Sequence, residues 1–474
     1  YLYLLIALWT LGACSDFLDE TPKGTLIPKT VNDFGLIFED NDTYSSANKI
    51  NVGPTIVSML DDDVQITDST KKLTRYDQYA LRAYRWEDNF YTQSEDDDNY
   101  NDLYHCIYLC NYVLNNLEDA REGGTFTKEY VRGAARFHRA FAYFSLVNMY
   151  AKHWDEATAE TDLGVPLLLE ADINQQAERA TIAQVYEQIF EDLAVADTCL
   201  NETEDYTHRP TIAAVQALYA RVYLYQGKYA ECWQAARKAR EITGEPDDYN
   251  QYYLWDGEGG NPDNGIAGLS WDEYALPDII IFKGGGQEPL YSKDYNLSDE
   301  LIALFDKDTD LRWRLFVTDY DYDQYYTPGS DQPRITSLQY PNNPGMNVGE
   351  MWITEAEALC REGDIDGALD ALNTLARKRH VSGTYVDITE RDPEKLLQLI
   401  LDERRRECMF KSLRWFDLKR LNKDPRFAKT VTHKFFGEVY TLEPESPHYV
   451  LPFPLKVINA NPSIEQNTYE QAES

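Results

Sequence analysis

The sequence predicts a mainly α-helical protein, a frame of helical hairpins that carries a loop-rich insertion and a few short strands. Three observations carry this. Apolar residues recur at three- and four-residue steps in several windows, as one face of a helix requires. Two pairs of such windows meet at a glycine, Gly227 and Gly363. Between them, residues 245–345 turn to Gly, Pro, Asp, Asn and Tyr, a composition that punctuates a chain rather than extending helices.

Residues 14–99 read as an N-terminal strap and loops, with Pro22 and Pro28 among scattered polar residues. Helices are expected over 100–244. The first starts near Tyr100 and puts Leu103, Ile107, Cys110, Val113, Leu114 and Leu117 on one stripe. The second runs from Glu129 to Tyr150, and the third over 181–200, where Thr181 offers a cap. Helices at 211–226 and 228–242 flank Gly227, and helices at 349–361 and 365–378 flank Gly363. Aligning the two glycines sets Ala220 against Ala356, Cys232 against Ala368 and Ala236 against Leu372. Small residues at a close crossing, with a tight glycine turn, make the hairpin of a tetratricopeptide (TPR) repeat. The frame is therefore TPR-like.

Inside the insertion, 279–282 is a candidate strand and Ser298 to Phe305 a short helix. Residues 346–474 hold the second hairpin and a C-terminal tail. They also hold one long helix, expected from 392 to 420, with Pro393 in its first turn. Glu403, Arg404, Arg406, Glu407, Arg414 and Asp417 are expected to pair along one face of it.

The 474 residues are 43% apolar and carry a formal net charge of −36. A large core is affordable, and a nucleic acid is disfavoured as a partner, because its phosphates would be repelled over most of the surface. Thirty-five Tyr, 18 Phe and 9 Trp supply flat faces with polar handles, suited to packing and to stacking on sugars. Residues 1–13 are apolar and uncharged and end in Leu11-Gly12-Ala13 before Cys14. They read as a lipoprotein signal peptide, with Cys14 as the lipidation site and the mature chain anchored outside the cytoplasm. Cys106, Cys110, Cys199, Cys232, Cys360 and Cys408 fall at apolar helical positions and are expected as buried thiols. No cysteine or histidine spacing suits zinc.

Catalytic motifs are missing too: there is no nucleophile elbow, HExxH or Walker loop. The runs 306–310 and 319–323 start like EF-hand loops. Leu311 and Gln324 stand where the sixth-position glycine belongs, and Val317 and Ser330 where the closing glutamate belongs. No metal site is expected.

Leu401-Asp402-Glu403-Arg404-Arg405-Arg406-Glu407 followed by Leu413-Arg414-Trp415-Phe416-Asp417-Leu418 resembles the C-terminal signature of the SusD/RagB family of outer-membrane nutrient-binding lipoproteins. Ser15-Asp16-Phe17-Leu18-Asp19 after the lipid cysteine, Arg139-Ala140-Phe141-Ala142-Tyr143, Gly164-Val165-Pro166-Leu167 and Tyr449-Val450-Leu451-Pro452-Phe453-Pro454 resemble further family segments, in family order. Cys408 stands where an aromatic is usual, and Lys411-Ser412 where Glu-Gly is usual.

The resemblance implies a surface-exposed outer-membrane lipoprotein that binds a glycan, needs no cofactor and catalyses nothing. It would deliver its oligosaccharide to a SusC-like TonB-dependent transporter. It also implies a shallow site on loops outside the TPR frame, built from Trp and Tyr faces with a few polar groups. Two stretches have that chemistry: Asp61, Asp63, Arg75 and Trp86 before the first helix, and Trp255, Trp271, Tyr274, Tyr320 and Tyr322 in the insertion. A peptide or glycopeptide ligand, a lipoprotein glycoside hydrolase and a TPR scaffold are the alternatives. A scaffold would have no use for so long an aromatic insertion.

Overall fold

The structure is a computed structural model and describes residues 28–39, 49–66, 78–254, 266–267, 278–284, 295–318, 334–335 and 343–469. Its helices of eight residues or more are α1 Asp98–Asn116, α2 Lys128–Tyr150, α3 Ile182–Cys199, α4 Ile212–Gln226, α5 Tyr229–Thr243, α6 Val348–Glu362, α7 Ile365–Arg379, α8 Pro393–Glu407 and α9 Arg414–Leu421. Local chemistry sets their ends. Thr127, Thr181 and Thr211 each accept a backbone N–H at an N-terminus, and Gln184 completes a capping box with Thr181. Gly227 and Gly363 end α4 and α6 in the left-handed region, at φ 71° and 88°.

The helices pack in pairs: α1 on α2, α2 on α3, α4 on α5, α6 on α7. The two glycine hairpins are far apart in sequence yet adjacent in space, because α5 packs directly on α6. Residues 245–345 thus leave the frame between neighbouring repeats and return to it. Helix α2 is buried along almost its whole length. Lys419 closes its C-terminal end, donating to the carbonyls of Asn148 at 2.6 Å and Ala151 at 2.7 Å.

The expected strand forms over Ile279–Ile281 and pairs antiparallel with Met346–Asn347. Ser298 caps the expected short helix, Asp299–Ala303. A second short helix, Leu311–Phe316, follows it. Five of the six described cysteines are buried and Cys199 is half-buried, all as free thiols.

The long helix expected over 392–420 is two helices. Between α8 and α9 the chain turns through Phe410 and Ser412, both left-handed at φ 56° and 58°, which no continuous helix tolerates. Residues 408–413 are buried all round, so they carry no one-sided stripe to mark the break. Ser412 occupies a backbone conformation that glycine adopts freely, and its hydroxyl lies 3.2 Å from that of Ser58. A hairpin that the sequence reading lacks, Val431–Phe435 with Glu438–Leu442, follows α9.

A candidate ligand-binding loop cluster

The insertion and the strap are fastened by short paired strands. Val64–Ile66 pairs antiparallel with Tyr295–Leu297, Val64 opposite Leu297 and Ile66 opposite Tyr295. Val317–Thr318 pairs with Arg334–Ile335, and Tyr253–Leu254 with Ile266–Ala267. Tyr295–Leu297 also packs against Arg334–Ile335. The residues that precede 67–77, follow 285–294 and flank 319–333 therefore lie side by side. The rings of Tyr249 and Phe316 meet edge-on at 5.6 Å, which joins the start of the insertion to the short helix before Val317–Thr318.

A buried charge network holds these stems to the frame. Arg312 donates to Asp310 at 2.8 Å and reaches Glu403 of α8 at 2.8 Å and Glu407 at 3.0 Å. Arg379 of α7 reaches Asp278 and Glu407, each at 2.9 Å. Asp62 takes Arg414 at 2.6 Å and Lys429 at 2.8 Å, and Asp63 takes Arg405 at 2.6 Å. The expected pairing along one helix face holds for Glu403 with Arg406 and Asp417 with Arg420, three residues apart. Arg404 reaches Asp417 at 2.8 Å across the turn between α8 and α9, and Arg312, Arg379 and Asp62 come from distant segments.

Burial raises a carboxylate's pKa and an adjacent arginine lowers it, so the network separates its members. Burial pushes Asp278 up to about 6 despite Arg379. For Glu357 burial is outweighed by Arg420 and Arg361, and its pKa falls to about 2. Asp62 lies well below the ordinary range because Arg414 and Arg405 outweigh its burial. These carboxylates are acceptors locked to cations, suited to positioning.

Three residues expected to face a ligand are part of this interior instead. Trp86 is 6% exposed; its indole N–H donates to the Leu60 carbonyl at 3.0 Å, and its ring stacks on His433 at 4.2 Å. Asp61 is buried and accepts the Asp63 amide at 2.9 Å, while Asp63 is buried on Arg405. With their polar atoms and ring faces engaged inside, they support the loop stems and offer no surface to a sugar. Arg75, Trp255, Trp271, Tyr274, Tyr320, Tyr322 and the lipidation site Cys14 lie outside the described residues.

Residues 16–224 match a SusD-like family described as starch-binding and associating with the outer membrane, and residues 329–469 match the SusD family. The chain belongs to the SusD/RagB family. A SusD-like protein of Formosa agariphila is 24% identical over 349 residues, 61% of this chain and 66%, just under two thirds, of that relative. Among solved structures, a SusD superfamily protein from Bacteroides thetaiotaomicron superposes with a TM-score of 0.69 at 20% identity, covering 93% of this chain and 100% of that one. A putative sugar binding protein from Bacteroides vulgatus gives 0.67 at 20% identity, covering 94% and 100%. These likenesses establish the fold.

The two family matches leave 225–328 between them, the stretch that holds α5 and most of the insertion. This SusD/RagB protein has a cleft of about 650 Å³ between the 152–163 segment, α9 and the C-terminal tail. Lys152, Arg179, Lys419 and Lys423 line it with Asp155, Asp162, Glu445 and Glu465. Burial lowers the Lys419 pKa to about 7. No sequence signal announces this cleft, because its walls come from segments that periodicity reads one at a time. Among the described residues no helix is long and apolar enough to cross a membrane.

Proposed function

We propose that this SusD/RagB protein is a surface-exposed, lipid-anchored component of the outer membrane that binds an oligosaccharide. It passes the sugar to a SusC-like TonB-dependent transporter and catalyses no step itself, so it needs no cofactor. The signal peptide spans 1–13, Cys14 carries the lipid, and 14–474 act as one SusD-like domain. The observation that carries this reading is the gathering of loop stems: Val64–Ile66, Tyr295–Leu297, Val317–Thr318 and Arg334–Ile335, next to 67–77, 285–294 and 319–333 in sequence, lie side by side. Those segments and their neighbours hold Arg75, Trp255, Trp271, Tyr274, Tyr320 and Tyr322. Their rings would stack on pyranose faces while the guanidinium donates to hydroxyls. Asp63 and Trp86 act beneath, as supports. The family description names starch, and a similar structure is that of a putative sugar binding protein.

The test is retention in affinity gels of a Trp271→Ala, Tyr320→Ala double variant against the wild type. Loss of retention with an unchanged melting temperature supports the reading. Full retention by the variant removes these rings from the site.

A further inference from the structure

The hairpin after α9 turns in two residues, Phe436 and Gly437, with Phe435 opposite Glu438 as the last pair. Both turn residues have positive φ, 49° and 82°. This turn matches the twist of the strands, and Asn-Gly is the pair that adopts it with least strain. Phenylalanine meets the left-handed clash between Cβ and carbonyl and gains little burial in return, being 54% exposed. Its ring is held edge-on against Phe435, centroids 4.6 Å apart at 85°. A strained backbone that presents an exposed ring marks a contact residue more than a packing residue.

The position of the tip gives that contact a setting. The Tyr84 hydroxyl donates to the Lys434 carbonyl at 3.4 Å and accepts the Ile66 amide at 3.2 Å. The tip thus starts two residues beyond a bridge to Ile66, where the pairing with Tyr295 ends. The hairpin is fixed at its base. His433 lies between the rings of Tyr84 and Trp86, at 4.1 and 4.2 Å, and its two ring nitrogens face the carbonyls of Tyr84 and Asp61 at 2.7 and 2.8 Å. Arg85 covers Phe435 at 5.1 Å and pairs with Glu87. A donor and an acceptor therefore stand one ring away from Phe436, across the Phe435 ring that it meets edge-on.

We propose that Phe436 is a sugar-stacking residue, whose ring takes the apolar face of one pyranose of a bound oligosaccharide while Arg85 and Glu87 serve its hydroxyls. This rests on the carbohydrate reading above and adds a fixed contact at the edge of the loop cluster. Among the described residues of the hairpin, the exposed large apolar side chains are Phe436 and Val439, 54% and 62% exposed. Two side chains fall far short of a protein interface, which buries about 800 Å² on each side.

The experiment runs wild type, Phe436→Asn and Phe436→Tyr through native gels containing soluble starch, xylan, β-glucan, galactomannan or pectin, with a thermal melt of each protein. Asparagine accepts the left-handed turn, so Phe436→Asn is expected to melt at or above the wild-type temperature. Its affinity for the polysaccharide that retards the wild type is expected to fall about fivefold or more, and Phe436→Tyr is expected to keep it. Equal retardation of Phe436→Asn and wild type overturns the assignment and leaves the carbohydrate reading standing. A loss shared by Phe436→Tyr overturns it as well, because the ring is then not what binds. A Phe436→Asn protein that melts well below the wild type assigns the ring to packing. No retardation of the wild type in any gel overturns the carbohydrate reading, and the assignment with it.

Discussion

Arg414 grips Asp62 across 352 residues of chain, its Nε 2.6 Å from one carboxylate oxygen and its Nη2 2.8 Å from the other. The bond joins the first residue of α9 to the segment that enters the loop cluster. Breaking a buried pair leaves a charge with too few partners. Arg414→Leu is expected to cost about 3 kcal/mol in urea unfolding. An unchanged midpoint would show that Arg405 and Lys429 suffice to hold Asp62.

Glu357 gives the network a pH signature. Arg420 reaches its two oxygens at 2.5 and 2.8 Å, and Arg361 reaches it at 2.9 Å. Its folded pKa of about 2 lies below the ordinary 4.5. The stabilisation is therefore complete above pH 4.5 and is lost as pH falls towards 2, on the order of 3 kcal/mol. Burial holds Asp97 and Asp278 up at about 6, so their contribution runs the other way, growing as pH falls from 6 towards 3.8. Melting temperature should rise from pH 6 to 4.5 and fall as pH drops from 3.8 towards 2. Glu357→Gln should melt lower at pH 7 and lose less between pH 4.5 and 2. A wild-type slope in that variant would contradict the assignment.

Gly349, in the first turn of α6, is where that helix meets the network. A Cβ there would collide with Glu407 Oε1 and stand 2.6 Å from Arg379 Nη2. Gly349→Ala is expected to displace the carboxylate and cost about 3 kcal/mol, read as a fall in melting temperature. Gly383, with open space around its Cβ position and a φ of 80°, should cost only the left-handed strain on substitution, about 1 kcal/mol.

Trp86 separates support from contact. Trp86→Ala removes an indole packed on His433 and is expected to destabilise by about 3–5 kcal/mol. A variant that keeps its melting temperature and loses only glycan retention would return Trp86 to the binding surface.

The frame was legible because its helices announce themselves: one-sided apolar stripes, Thr181 before α3, and Gly227 and Gly363 at the two left-handed turns. The split between α8 and α9 was not, since residues 408–413 are buried on every side and nothing in Phe410 or Ser412 advertises a positive φ. The C-terminal hairpin alternates through Val431, His433 and Phe435, yet its Phe-Gly turn lacks the Asn or Asp that signals such a turn. The charged residues of α8 and α9 were visible as a pattern. Their partners Asp62, Arg312 and Arg379 come from other parts of the chain, and helical spacing cannot find those. The same blindness explains Asp61, Asp63 and Trp86. Polar and aromatic residues ahead of a helix look like surface, until His433 and Arg405 close over them from more than 340 positions away.

The most direct test is a glycan-array and affinity-gel screen of the protein from Ser15 onward, with analysis of products on every polysaccharide that retards it. Retention of a polysaccharide with no new reducing ends is the predicted result. Retention by no glycan, or release of reducing ends from one, would contradict an oligosaccharide-binding role without catalysis.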